Sequence, residues 1–420
     1  MNRTPAQPLS MLPLAETFEP RDLETLIGVL QDRELESMPV YIIGGANSLD
    51  YGLPAKKPGV GLQMTGLNRV IDHPVGDMTV TVEAGLALDA LNARLAEHGQ
   101  CVPWDVPAPH SATIGGIVAT NWNGARRHGY GTVRDYVIGI QAVDAAGNTF
   151  HGGGRVVKNV AGYDFCKLLT GSMGTLAVIT QVTLKVRPTA PESTLVGTIL
   201  TDDVTLEQTL ESLVHLATKP VAVEVLRGPY WRNAEWLRSL WPDHHDDTLL
   251  LVGLEGTKLE VQYMSEHLRE HWRAQGLARF ASVSGADACH AWRGLTNMTS
   301  DDSGSLIVKA TMVPSAVVGF TRVVSELGLD CSVQADAADG VVWIHFPTFP
   351  ADGITRSVMG KLVPLADAAG GGVIIVRNRD QIEMTRQSVW GPIDIPVSLM
   401  EKVKAKFDPR GRLNPGRFVC

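Results

Sequence analysis

Small residues directly after a β-branched run carry chemical meaning, because they let successive backbone N–H groups converge on an anion. Val40-Tyr41-Ile42-Ile43 runs into Gly44-Gly45-Ala46-Asn47-Ser48. Two glycines and an alanine leave room for a pyrophosphate, and Asn47 and Ser48 add donors; the plain alternative is a tight turn. Ala112-Thr113-Ile114-Gly115-Gly116-Ile117-Val118-Ala119 offers a second place. Thr113 can cap an apolar helix that opens on two glycines, which makes either an anion or carbonyl-oxygen site or a helix–sheet contact. His151-Gly152-Gly153-Gly154 continues through Arg155, Lys158, Asn159 and Tyr163 to Asp164, a polar loop or a surface hairpin. Gly171-Ser172-Met173-Gly174-Thr175-Leu176 again sets glycines against the start of a strand.

Other chemistries lack their residues. No G-x-G-x-x-G lies on a strand–turn–helix, and there is no G-x-x-x-x-G-K-[ST] or G-x-S-x-G. His267-Leu268-Arg269-Glu270-His271 fits H-x-x-E-H, but Val261, Met264, Leu268 and Trp272 form an apolar stripe on the same helix and no third ligand is evident. We therefore expect a packing helix there and no metal site. His244-His245-Asp246-Asp247 reads as a solvated turn. The five cysteines are odd in number and none are spaced C-x-x-C, which argues against a disulfide framework, a zinc ribbon or a cluster held by this chain alone.

The elements that must carry these loops follow from periodicity. Residues 1–20 read as a Pro-rich lead-in without an apolar signal segment. A helix after Pro20 places Leu23, Leu26, Ile27 and Leu30 on one face. A strand over 78–82 and a helix over 87–97 follow, and a hairpin turns at Asp144–Asn148. A long β-branched strand, 176–186, closes the first domain near Pro188. Residues 190–380 alternate strands and helices, and their last six elements, from 305 to 377, spell β-α-β-β-α-β, a ferredoxin-like pattern with helices on one face of a mostly antiparallel sheet. Expected boundaries are 1–20 (lead-in), 21–188, 189–395, and 396–420, a turn-rich tail that returns to the first domain.

Composition bounds the class. At roughly 150 residues per domain, 420 residues make two or three domains. Hydrophobic residues at 44% and charged residues at 20% allow a sizeable core and exclude global disorder. The net charge of -8 argues against a general nucleic-acid binder. No run approaches the roughly 18 apolar residues of a membrane span. A cytoplasmic protein is expected, peripheral at the inner membrane only through partners.

Taken in order, these loops resemble the PCMH-type FAD-binding domain of the vanillyl-alcohol oxidase superfamily, over roughly residues 20–190 and the tail. Gly44–Ser48 sits where that family has its pyrophosphate loop. Pro107 to Ala119 resembles its P-x-x-x-A-T-I-G-G-x-V-A segment, Tyr130-Gly131-Thr132-Val133-Arg134-Asp135 its Y-G-x-x-R-D, Gly171 to Leu176 its G-S-x-G-T-L, and Asn414-Pro415-Gly416 its closing N-P-G. The Gly152–Asp164 loop is similar to that of the FAD-binding E subunits of bacterial glycolate oxidase. The resemblance implies an α+β fold, a two-part FAD domain with a ferredoxin-like cap. It implies FAD held by Gly44, Gly45, Ala46, Asn47, Ser48, Pro107, Ala112, Thr113, Gly115, Gly116, Ala119, Arg126, Gly174, Ile179 and Asn414. Family members that bind FAD covalently carry a His in the pyrophosphate loop; Asn47 stands there, so non-covalent FAD is implied.

The implied reaction is oxidation of a small 2-hydroxy acid, glycolate to glyoxylate, within a complex that includes a sibling flavoprotein subunit and an iron–sulfur subunit. Such chemistry needs a base for the hydroxyl proton and a cation for the carboxylate. His345 and His110 are the candidate bases, Lys309 and Arg377 the candidate clamps. The paired-His metal motif of D-lactate and glycolate dehydrogenase relatives is missing. Val308-Lys309-Ala310-Thr311 stands where other E subunits have W-R-L-S, and Gly371-Gly372-Val373 where they have G-G-H. A non-catalytic FAD-binding or electron-relay subunit is the alternative.

Overall fold

The computed structural model describes residues 3–5, 11–154, 162–241, 248–300, 304–392 and 396–418. Arg155–Ala161, within the third glycine loop, and His244–Asp247 lie outside the described residues. The chain divides into two compact units. The first comprises Met1–Asn123, Thr132–Thr189 and Ile393–Cys420; the second comprises Gly124–Gly131 and Ala190–Pro392.

The first unit holds two main sheets. In one, Val40–Ile43 and Leu14–Phe18 flank Gly59–Gln63, both in parallel. Leu14–Phe18 belongs to the stretch read as a lead-in; its apolar residues pair into the sheet despite the surrounding prolines, so that reading is corrected. Helix Leu23–Gln31 is capped by Asp22, which accepts from Thr25 N–H at 2.7 Å. It buries Leu26, Val29 and Leu30 against Val40, Val60 and Leu62. The second sheet is antiparallel, with the order Val70–Asp72, Thr79–Glu83, Val178–Lys185, Val137–Val143, Thr149–Gly153. The expected hairpin at Asp144–Asn148 is its last turn: Asp144 Oδ1 accepts from the N–H groups of Ala146 and Asn148, both at 2.9 Å. Helices Leu88–Ala96 and Ile114–Thr120 bury Leu91, Leu95, Ile117 and Val118 in a shared core with Val82, Ile140 and Val182.

The C-terminal residues are built into this unit. Arg412 is buried and donates to four backbone carbonyls, Leu30 at 3.0 Å, Leu35 at 3.1 Å, Ala145 at 3.2 Å and Met38 at 3.4 Å. Asn414 accepts from Ile42 N–H at 3.0 Å and donates to the Met173 carbonyl at 2.8 Å, which ties the end of strand 40–43 to the loop before strand 178–185.

The second unit is one antiparallel sheet of eight strands: β1 Glu192–Leu200, β2 Ala222–Arg227, β3 Thr248–Gly256, β4 Phe280–Ser284, β5 Leu306–Thr311, β6 Ser332–Asp336, β7 Val341–Phe346 and β8 Gly372–Asn378. Their order is β4-β1-β3-β2-β6-β7-β5-β8. The expected β-α-β-β-α-β pattern runs from β5 to β8. The same order, fourth–first–third–second, recurs in β1 to β4, so the sheet consists of two ferredoxin-like halves joined edge to edge through β2 and β6. Helices do not keep to one face, contrary to expectation. Trp272, on helix Lys258–Ala274, stacks on Phe280 on the face of Thr198. Trp292, on helix Gly285–Asn297, fills the space a Cβ at Gly253 would need, on the opposite face. The glycines of β1 and β3 make that second layer possible.

Candidate functional site

In the first unit, the loop Gly44–Ser48 turns with Ala46 at φ 62°, a left-handed conformation unusual for a residue with a Cβ. The backbone N–H groups of Gly45, Ala46, Asn47 and Ser48 donate to no described residue. Consecutive free donors around a left-handed residue form an anion-binding nest. The opposite wall comes very close: a Cβ on Gly45 would stand 1.7 Å from the Ser111 carbonyl oxygen. Asn47 bridges the walls, accepting from Ala112 N–H at 3.1 Å and donating to the Gly45 carbonyl at 3.0 Å. Thr113 caps helix Ile114–Thr120 through Gly116 N–H at 3.3 Å, as its place before the glycines predicts. Gly115 lies against Ala84, where its N–H reaches the Ala84 carbonyl at 2.7 Å.

The loop Gly171–Thr175 joins the same region. Gly171 N–H reaches the Val118 carbonyl at 2.9 Å and Met173 N–H the Ala119 carbonyl at 2.8 Å. Gly174 has φ 65°, and its missing Cβ makes way for the Asn414 amide. Ser172 Oγ is buried and has no hydrogen-bond partner among the described residues. Free main-chain donors around a left-handed turn, on a glycine loop too tight for a Cβ, are what a dinucleotide diphosphate requires, so the residues present fit FAD. Pro107 precedes this wall on its loop, and Ile179 is buried on strand Val178–Lys185. Arg126 belongs to the second unit, where its guanidinium pairs with Glu255 at 3.0 Å. His110 is exposed in the turn Ala108–Ser111 of the first unit.

Three other candidate residues gather in the second unit. Ile307 on β5 stands between His345 on β7 and Arg377 on β8, in register with both. Lys309 is opposite Trp343, two residues further along the same strands. Side chains alternate across a sheet, so His345, Trp343, Ile307 and Lys309 share one face. Lys309 Nζ lies 4.9 Å from the Trp343 ring centroid. Burial pulls its pKa down to about 8, the nearby Arg127 pushes the same way, and Asp336 opposes them.

Reading the sequence alone misses the acidic half of this face. Glu224 on β2 is opposite Asp336 on β6, and Gln334 lies two residues before Asp336. Both carboxyls are buried. Burial first, then Glu224 and Asp339, raise the Asp336 pKa well above the usual carboxylate range. The signal was present as one polar residue, Glu224, inside the apolar run Ala222–Leu226 and two, Gln334 and Asp336, alternating with apolar ones in Val333–Ala337. Residues 124–131 pack against this sheet: Arg127 pairs with Asp339 at 3.0 Å, and Gly129 N–H reaches the Val221 carbonyl at 3.0 Å. Of the Y-G-x-x-R-D segment, Tyr130 donates to Glu255, while Thr132 and Asp135 form a capping box. His267 stacks on Tyr263, ring centroids 5.8 Å apart, on an α-helix.

A family model described as an FAD binding domain matches residues 15–153, and one described as the C-terminal domain of FAD linked oxidases matches residues 393–418. A D-lactate dehydrogenase of Anaerostipes hadrus is 33% identical over 96% of this chain and 88% of its own length. The chain belongs to the FAD-linked oxidoreductase family. FAD is its cofactor, and it is an FAD-dependent oxidoreductase. Glycolate oxidase subunit GlcE of Escherichia coli K12 is 33% identical over 48% of this chain and 56% of its own length. The E-subunit resemblance is therefore coarser than expected, and the wider family is what the comparisons support. The fold matches an alkyldihydroxyacetonephosphate synthase structure with a TM-score of 0.66 at 14% identity, over 96% of this chain and 77% of that one. Among the described residues, no helix of this oxidoreductase is long and apolar enough to cross a membrane.

Proposed function

We propose that this chain oxidises a 2-hydroxy acid to the 2-oxo acid. In this reading it works like the FAD-binding component of bacterial glycolate oxidase, in a complex with a sibling flavoprotein and an iron–sulfur protein. FAD, bound non-covalently because Asn47 offers no nucleophilic ring nitrogen, supplies the hydride acceptor. The observation that carries the reading is the shared sheet face of Lys309, His345 and Ile307, with Arg377 in register beside Ile307. Lys309 and Arg377 bind the substrate carboxylate, Arg377 with a fork that suits two oxygens. His345 takes the C2 hydroxyl proton; His110, exposed in the first unit, is the alternative base. With a pKa near 8, Lys309 is mostly protonated at neutral pH and can hold an anion. The relatives named for D-lactate and glycolate support the substrate class.

The test is anaerobic addition of glycolate or D-lactate to the purified yellow chain. Bleaching of the flavin band by the chain alone supports a catalytic role. Bleaching only with partners present supports an electron-relay role, and a chain that purifies without flavin undercuts both.

A further inference from the structure

The second unit contains a cavity of about 460 Å³, a size common for small-molecule sites. Its inner wall is the sheet. Ser332 on β6 and His345 on β7 are direct cross-strand partners, 2% and 3% exposed, and both line the space. Ser332 Oγ accepts from Tyr230 N–H at 2.9 Å, which leaves its own O–H to donate. Tyr230 stands over the His345 ring with centroids 5.3 Å apart. Trp236 adds a second large aromatic surface, and Asn233, Asn297 and Asp330 complete the polar lining.

The charge of this lining is informative. Among the described residues no Lys or Arg lines the cavity, and Asp330 is the carboxylate on its wall. A ligand end bearing a carboxylate or phosphate would meet Asp330 with nothing to offset it. Two amides, a serine hydroxyl, a phenol and a carboxylate instead match a run of neutral hydroxyl groups, and the aromatic walls suit the C–H edges of such a chain.

Position links the cavity to the proposed reaction. His345 belongs to both. Lys309 lies about 7 Å further along the strands from the Ile307–His345 row, and Arg377 about 10 Å across two strand spacings from His345. A carboxylate held by these cations, with its C2 hydroxyl at His345, sends its remaining carbons into the cavity. Glycolate has none to send and lactate has one methyl.

We infer that this cavity receives the polyhydroxylated tail of the substrate, so that the preferred 2-hydroxy acids are aldonic acids. This rests on the 2-hydroxy-acid reading above. A site built to hydrogen-bond hydroxyl groups discriminates strongly against analogues that lack them. D-gluconate should therefore exceed D-lactate and glycolate in kcat/KM by at least about tenfold.

The experiment is anaerobic flavin reduction of the FAD-loaded full chain by glycolate, D-lactate, D-2-hydroxyglutarate and D-gluconate, with D-gluconate binding followed by calorimetry. It is repeated in Asp330→Asn, an exposed isosteric change, and in Trp236→Leu. The expected result is a D-gluconate preference that shrinks about tenfold in each variant, with weaker calorimetric binding. Equal or faster reduction by glycolate, D-lactate or D-2-hydroxyglutarate, or an unchanged preference in both variants, overturns the tail site while the oxidase reading stands. Reduction by none of the four acids overturns both.

Discussion

Replacing Lys309 by Met separates a residue kept for chemistry from one kept for stability. The lysine pKa falls from its usual 10.5 to about 8, chiefly through burial. That shift is a penalty of roughly 3 kcal/mol on the charged form. The Trp343 face returns about 0.5–2 kcal/mol of it through the cation–π contact. Below pH 8 the folded and unfolded chains both carry the proton, so the whole penalty is felt. Between about 8 and 10.5 the unfolded chain keeps the proton and the folded chain sheds it, so stability rises with pH and the penalty fades. Methionine fills similar volume without a charge. Lys309→Met should therefore be about 1–2 kcal/mol more stable than the wild type at pH 7, with the gap closing towards pH 10.

Function should move the other way. A charge-assisted hydrogen bond to a carboxylate contributes about 1.5–3 kcal/mol, so the apparent substrate constant should rise roughly 10- to 100-fold. In the wild type that constant should climb above pH 8 as Lys309 loses its proton, and the variant should lack that step. Thermal unfolding at several pH values, flavin content and anaerobic titration make the assay. A variant less stable at pH 7 by more than about 1 kcal/mol, or one with an unchanged substrate constant, refutes the reasoning.

Gly45→Val should purify without yellow flavin, because its Cβ would need the space of the Ser111 carbonyl, 1.7 Å away; stoichiometric flavin would count against the nest. Arg412→Met strands four backbone carbonyls at about 1–3 kcal/mol each, so urea unfolding of the first unit should show a loss beyond about 3 kcal/mol. Asp336→Asn should leave stability near pH 4 unchanged and raise it at pH 7. The raised carboxyl pKa makes the wild type lose stability as pH climbs above the unfolded value, and matched unfolding curves at the two pH values check the sign.

The front of the first unit was legible because its signals are local. A β-branched strand that stops at Gly-Gly-Ala, and a Thr before two glycines, each fix a backbone geometry within a few residues. The second half of the cap was legible because four of its strands are apolar runs of the right length. The first half was not recognised as the same motif because β4, Phe280-Ala281-Ser282-Val283-Ser284, lies at the sheet edge and is only partly buried, so it needs few apolar residues. Without it three strands do not make the motif. The acidic pair escaped for the opposite reason: Glu224 and Asp336 sit in runs so apolar that each reads as an interruption, and only the β2–β6 register sets them opposite each other.

That register also explains how one repeated design serves two purposes. Both halves of the cap put the same topology at the sheet, yet they furnish the same face differently. In the half from β1 to β4, Gly197 and Gly253 leave hollows that Trp241 and Trp292 fill, so the face becomes core. In the half from β5 to β8, the corresponding face carries Lys309, His345, Gln334 and Asp336 beside Trp343, polar groups that cost stability when buried, and the proposed reaction gives them a use. The packed half anchors the sheet, and through β2 it lends Glu224 to the other. A cavity-making change such as Trp292→Ala should therefore cost stability alone, about 3–5 kcal/mol, with carboxylate affinity intact in the folded fraction. If affinity fell as steeply as stability, the division of labour between the halves would be wrong.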